Sequence, residues 1–259
     1  MKYPSSVNKD NSGNNDIVEQ YQRNGYVIVP NVLDEAIIEQ SKEHIQYLQR
    51  QYPELRAEQL ATGVVPMDKF WLQLVSDPRL LNIAEQFIGP DIALFASHYI
   101  AKPPRTGLPV LWHQDGSYWP LDPMKVITLW LALDDSDPDN GCMRVIPRTQ
   151  GDTIVNQRDM KQTASDENVL NSSMDLSAID ASQARDLILR AGDVSIHNPN
   201  IVHGSEANKS DRWRRGLTIR YIPTTTRITD PNHSQPFLLK GQAIDGINHY
   251  DVSLSVNGG

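Results

Sequence analysis

The chain has 259 residues, 39% hydrophobic and 22% charged, a globular composition that excludes a disordered tail protein, a collagen-like rod and a coiled coil. Its 24 Lys and Arg against 32 Asp and Glu leave a net charge of −8, which argues against holding DNA, RNA or an acidic membrane by bulk charge and points to a small molecule or another protein as partner. The lone Cys142 can close no internal disulfide and build no thiolate zinc site by itself, which favours a reducing compartment.

Residues 1–15 are Ser/Asn-rich without an apolar run after Lys2, so they read as a frayed end rather than a secretory leader. No stretch reaches the roughly 18 to 20 apolar residues that cross a bilayer, and a cytoplasmic protein is expected. From Asp16 the pattern predicts helix, strand, helix: Ile17, Val18 and Tyr21 at helical spacing up to Gly25, a β-branched run Tyr26 to Val29 closed by Pro30, then a helix capped by Asp34. Ile37, Ile38, Ser41, Ile45 and Leu48 make one face of that helix. Another helix is predicted from Pro78 to Ile88, ended by Gly89-Pro90.

Beyond Pro90 the texture changes to short apolar runs punctuated by Pro, Gly and Asp: Ile92 to Ala101, Val110 to Gln114, Val126 to Leu133, Met143 to Ile146, Leu187 to Leu189, Val194 to His197 and Gly216 to Ile222. Such a series predicts an all-β sandwich or barrel rather than βαβ units. The polar stretch 150–184 reads as an insertion or lid. The expected organisation is one domain, 16–259, with a helical flank at 16–90 and a β core at 91–225.

Among seven histidines, His113 stands out, because it ends a strand-like run and is followed two residues later by Asp115. In extended backbone those two side chains project to the same side. A nitrogen and an oxygen ligand are thereby offered to a borderline divalent metal, and a distant histidine would complete a 2-His-1-carboxylate triad with open positions, the arrangement that suits iron(II). His203 is the first choice for that role, on a strand expected at the far side of the barrel, and His197 is the local rival. Arg212, Arg214 and Arg215 stand just before the run Gly216 to Ile222, where a buried guanidinium could grip a carboxylate of a 2-oxoacid by two parallel hydrogen bonds.

With these elements in order, the sequence from about Asp16 to Gly241 resembles the phytanoyl-CoA dioxygenase family of non-haem iron(II)- and 2-oxoglutarate-dependent oxygenases. His113, Asp115 and His203 match its metal motif; Trp130 to Asp135 and Asn140 to Pro147 resemble its central strand pair; His203-Gly204-Ser205, Asn208, Ser210 and Arg214 match its closing motif, with the arginine eleven residues after the distal histidine. The resemblance implies a mainly β, cupin-like jelly roll, a double-stranded β-helix with N-terminal helices bracing one sheet. It implies catalytic metal ligands His113, Asp115 and His203, and 2-oxoglutarate contacts from Arg214, Ser205, Trp130, His98 and Lys69. Tyr118 and Trp119 are expected to face the substrate. The implied cofactors are iron(II), 2-oxoglutarate as cosubstrate and O2, with ascorbate as a supporting reductant. The implied reaction oxidises a C–H bond of a small molecule, releasing succinate and CO2. Asp115 argues for hydroxylation over halogenation, because related halogenases carry a small residue there. Two other readings compete: a non-catalytic jelly-roll binding protein, and a zinc hydrolase using the same three residues, which would have no need of the distal arginine.

Overall fold

The structure, a computed structural model, describes residues 13–151, 160–163, 167–177 and 179–251. Most of the frayed end expected for residues 1–15, and residues 152–159, 164–166 and 178 of the stretch 150–184, therefore fall outside the described residues. The helices are α1 (Gly13–Asn24), α2 (Glu35–Gln51), α3 (Lys69–Val75) and α4 (Pro78–Ile88). The strands are β1 (Tyr26–Val29), β2 (Leu60–Ala61), β3 (Ile92–Tyr99), β4 (Val110–His113), β5 (Leu121–Asp122), β6 (Ile127–Ala132), β7 (Met143–Ile146), β8 (Lys161–Gln162) and β9 (Ser172–Ser173). They continue as β10 (Arg185–Asp186), β11 (Val194–His197), β12 (Val202–Ser205), β13 (Gly216–Pro223), β14 (Arg227–Ile228) and β15 (Phe237–Lys240).

A large antiparallel sheet runs β1-β11-β6-β13-β3-β15, with β2 added beside β3, and a four-stranded sheet runs β10-β7-β12-β4. This is a mainly β jelly roll with helices on the outer face of its larger sheet. Alternation gives each strand of that sheet two unlike faces. Leu129, Leu131, Val194, Ile196, Leu217, Ile219 and Tyr221 share one core with Ile38, Ile45 and Leu48 of α2, Trp71 of α3 and Leu80 and Ala84 of α4. The intervening Thr128, Trp130, Ser195, His197, Thr218 and Arg220 point the other way, toward the smaller sheet.

The helices start where short polar side chains accept orphan amide hydrogens: Asp34 from Ile37, Asp68 from Trp71 and Asp77 from Arg79. α3 was not foreseen in the sequence, since seven residues give too short a window for helical periodicity to show. Leu187 to Leu189, expected as a strand, lies just past the two-residue strand β10 and joins its neighbours only through Leu187 N–H to Met143 O and a bridge from Leu189 to Ser136. The other correction concerns β12: it lies directly beside β4, with His203 in register opposite His113, rather than across the barrel. The jelly-roll path brings strands distant along the chain together as antiparallel neighbours, and separation in sequence does not foretell which pair meets. Among the described residues no helix is long and apolar enough to cross a membrane.

Candidate active site

His113 is the last residue of β4, Gln114 remains extended (φ −117°, ψ 122°), and Asp115 opens a 3-10 turn reaching Tyr118. The two side chains therefore emerge on the same side, as the spacing predicts. The turn is anchored by Gly116 N–H donating to Pro199 O at 2.8 Å and by Gln114 Nε2 donating to Asn200 O at 2.5 Å. Both contacts tie the Asp115 turn to the loop that leads into His203. Gly204 keeps β12 close to β4, since a Cβ there would sit 2.8 Å from Val110 O.

One donor atom from each of His113, Asp115 and His203 lies within 4.8 Å of the others, and all three residues are buried. His113 Nδ1 donates to Leu111 O at 2.8 Å and His203 Nδ1 donates to Ile201 O at 3.0 Å. Because a carbonyl can only accept, each ring carries its proton on Nδ1 and turns the lone pair of Nε2 inward. Those two Nε2 atoms stand 3.4 and 4.0 Å from Asp115 Oδ1. Burial, followed by the neighbouring His113, holds the His203 ring well below the usual imidazole range, so it is a neutral ligand at physiological pH. Burial would raise the Asp115 carboxyl, but Arg220 and the imidazoles outweigh it and hold the group well below the usual carboxylate range. Two imidazoles with Nε2 turned inward and one carboxylate fit a ferrous ion, and leave part of its coordination sphere open.

The rival His197 is also in the site. It is 1% exposed at the end of β11, its Nε2 lies 3.6 Å from Asp115 Oδ2, and its ring centroid is 4.8 Å from that of His203. It faces the outer oxygen of Asp115 rather than Oδ1, on which the other two imidazoles converge.

The three arginines separate cleanly. Arg212 is exposed and paired with Asp137, and Arg215 makes two bonds to Asp134 at 2.7 and 2.8 Å. Arg214 is 2% exposed and lines the same cavity as the three ligands. Its guanidinium donates to Gly141 O, Ile100 O and, at 3.5 Å, Ser205 Oγ, and lies over the Trp130 ring at 5.3 Å; no carboxylate pairs with it among the described residues. Burial pushes it down to about 10, so it stays charged at neutral pH. An uncompensated buried cation is costly, and an anionic ligand relieves the cost. Gly141, left-handed at φ +77°, and Gly216, where a Cβ would overlap the Trp130 ring, allow this packing.

Ser205, Trp130 and His98 all line the cavity, whereas Lys69 is exposed at the start of α3, away from it. The lysine beside Arg214 is Lys102, fully buried, donating to Ser205 Oγ at 2.6 Å and Glu206 O at 2.5 Å. Its burial, then Arg214, holds it well below the usual lysine range. The signal for Lys102 was a cation closing an apolar strand just ahead of Pro103-Pro104, and the sequence reading passed over it. His98 accepts or donates nothing acidic: its Nε2 donates to Glu58 O at 2.6 Å, and burial, then Arg220, lowers it to about 4. Tyr118 stands with its ring 6.1 Å from His113 and its hydroxyl on Ser172, while Trp119 packs against Phe95 and under Arg220. Leu170 lines the cavity, and its segment is tied to the β4 region by Val169 N–H to Pro109 O and Met174 N–H to Trp112 O.

Fold and site together define a jelly-roll metalloprotein with a His-Asp-His centre and a buried cationic pocket beside it. The sequence model described as phytanoyl-CoA dioxygenase (PhyH) matches residues 21–216, and the chain belongs to that family. This places it among the iron(II)- and 2-oxoglutarate-dependent oxygenases. The probable alpha-ketoglutarate-dependent hypophosphite dioxygenase of Stutzerimonas stutzeri is 30% identical over 148 residues, 57% of this chain and about half (51%) of that relative. The peroxisomal phytanoyl-CoA dioxygenase of Bos taurus is 24% identical over 87% of this chain and 73% of the relative, and the L-proline trans-4-hydroxylase of Streptomyces griseoviridis is 26% identical over 85% and 90%. Among solved structures, the non-heme monooxygenase ThoJ superposes with a TM-score of 0.74 at 24% identity, covering 88% of this chain and 84% of that one, a likeness of fold.

Proposed function

We propose that this protein is a dioxygenase that hydroxylates an unactivated C–H bond of a small molecule, in a natural-product pathway of the cytoplasm, with release of succinate and CO2. The observation that carries the reading is the convergence of His113, Asp115 and His203 donor atoms within 4.8 Å, with both imidazoles held in the tautomer that ligates. Iron(II) bound there would supply the activation of O2, driven by oxidative decarboxylation of 2-oxoglutarate, with ascorbate as supporting reductant.

The chain's own residues position the reactants. Arg214, helped by Ser205 and Lys102, would hold the distal carboxylate of 2-oxoglutarate by charge-assisted hydrogen bonds, against the wall formed by Trp130. Asp115 fills the third protein position, which supports hydroxylation over halogenation. Tyr118, Trp119 and the insertion around Leu170 would border the substrate, the insertion serving as a lid on a single domain spanning 16–259. The L-proline trans-4-hydroxylase relative supports a small-molecule hydroxylation. A buried, acid-free Arg214 also favours this chemistry over a zinc hydrolase, which has no use for it. The test is succinate release with iron, ascorbate and 2-oxoglutarate: His113→Ala should bring it to background, and undiminished turnover would refute the ligand assignment.

A further inference from the structure

We infer a second anion subsite on Arg220, which anchors an oxyanion group, a carboxylate or a phosphonate, of the primary substrate. The inference rests on the oxygenase reading and names the substrate class of that same site.

Arg220 lies six residues past Arg214 and lines the same cavity. Arg214 sits at Ser205, two residues past His203, whereas Arg220 sits at Asp115, so the two guanidinium groups meet different partners. Among Arg212, Arg214, Arg215 and Arg220, only the last has a guanidinium with no hydrogen bond to a described residue. Its nearest carboxylate oxygen, Asp115 Oδ2, is 4.0 Å from Nε, beyond hydrogen-bond reach, and Asp115 turns its other oxygen to the two ligand imidazoles. The Trp119 ring at 5.2 Å fixes the guanidinium plane.

The neighbourhood is as incomplete as the arginine. Thr128 stands in register between His197 on β11 and Arg220 on β13, so the three side chains form one row across the cavity face of the sheet. The Thr128 hydroxyl, both His197 ring nitrogens and Arg220 Nε are buried without a hydrogen-bond partner. Buried polar atoms are nearly always paired, and a run of orphans along one row beside a cavity marks a place that a ligand completes. A planar guanidinium with free donors selects oxygen pairs on one atom, as carboxylates and phosphonates present them. The adjacent His98, kept neutral by burial, adds no competing charge.

The test uses the full chain loaded with redox-inert zinc and saturated with 2-oxoglutarate, with butyrate, butylphosphonate and neutral butyramide as probes in ligand-observed NMR. The wild type should bind at least one of the two anions tenfold or more tightly than butyramide, and the preferred anion identifies the group. Arg220→Gln should erase that preference while its 2-oxoglutarate affinity stays within about twofold; Arg220→Lys, which keeps the charge but not the fork, should retain part of it. Equal binding of anion and amide by the wild type, or an unchanged preference in Arg220→Gln, overturns the subsite alone. Failure of the wild type to bind zinc and 2-oxoglutarate overturns the oxygenase reading and the subsite with it.

Discussion

The two faces of the large sheet are made by the same strands and obey opposite rules. Toward the helices, Leu129, Leu131, Ile196, Leu217 and Ile219 are 0% exposed and belong to one apolar cluster, so that face is stabilised by area removed from water. Toward the smaller sheet, Thr128, His197, Thr218 and Arg220 are also buried or nearly so, yet several of their polar atoms have no partner. Equal burial thus serves stability on one side and ligand binding on the other, and the unmet hydrogen bonds are what tell the two apart.

Substitutions on the two faces should therefore part company. The largest activity effect belongs to the cavity face: Asp115→Ala should reduce succinate release to background, because it removes the only carboxylate of the trio, while circular dichroism stays native. The largest stability effect belongs to the helix face: Ile219→Ala should cost about 2 to 5 kcal/mol, measured by urea unfolding, by leaving a cavity among α3, α4 and the sheet. If instead Asp115→Ala unfolds the protein and Ile219→Ala does not, the contrast is broken.

Arg214→Gln sharpens the comparison, since it removes a buried cation that lacks an acidic partner. It should raise the KM for 2-oxoglutarate by ten- to a hundredfold, the loss of about 1.4 to 2.7 kcal/mol, without lowering the melting temperature of the ligand-free protein. A smaller effect comes from His98. Its folded-state value of about 4 lies below the unfolded value near 6.5, so the folded protein binds fewer protons between the two. Its contribution is complete above about pH 6.5 and is lost as pH falls toward 4. His98→Gln should flatten the slope of melting temperature against pH in that window, and an unchanged slope would remove His98 from the account. Smallest of all, Arg105→Ala breaks only exposed contacts, the pair with Asp211 and a hydrogen bond to Lys209 O, and should leave both activity and melting temperature where they were.

Much of the site was legible before the fold. His113 and Asp115 are two residues apart in extended chain, and such local geometry follows from backbone sterics alone. His203 and Arg214 were legible through the order and spacing of a family pattern. Apart from that spacing, the residues themselves left Arg212, Arg214 and Arg215 open, because the choice depends on which guanidinium finds an aspartate on the surface and which is turned under Trp130. Lys69 was misplaced for a similar reason: nothing near a lysine in the sequence says whether a helix start will carry it outward, and Lys102 holds the place beside Arg214.

By itself the sequence determined what depends on neighbours along the chain: the helix cap at Asp34, the alternation that gives β6, β11 and β13 two faces, and the His-x-Asp pair. The tertiary structure alone decided which strands lie side by side, setting His203 opposite His113 and lining up His197, Thr128 and Arg220 in one row. The reason is physical: dihedral preference and side-chain period act over a few residues, whereas strand pairing is settled by the burial and hydrogen bonding of segments far apart on the chain.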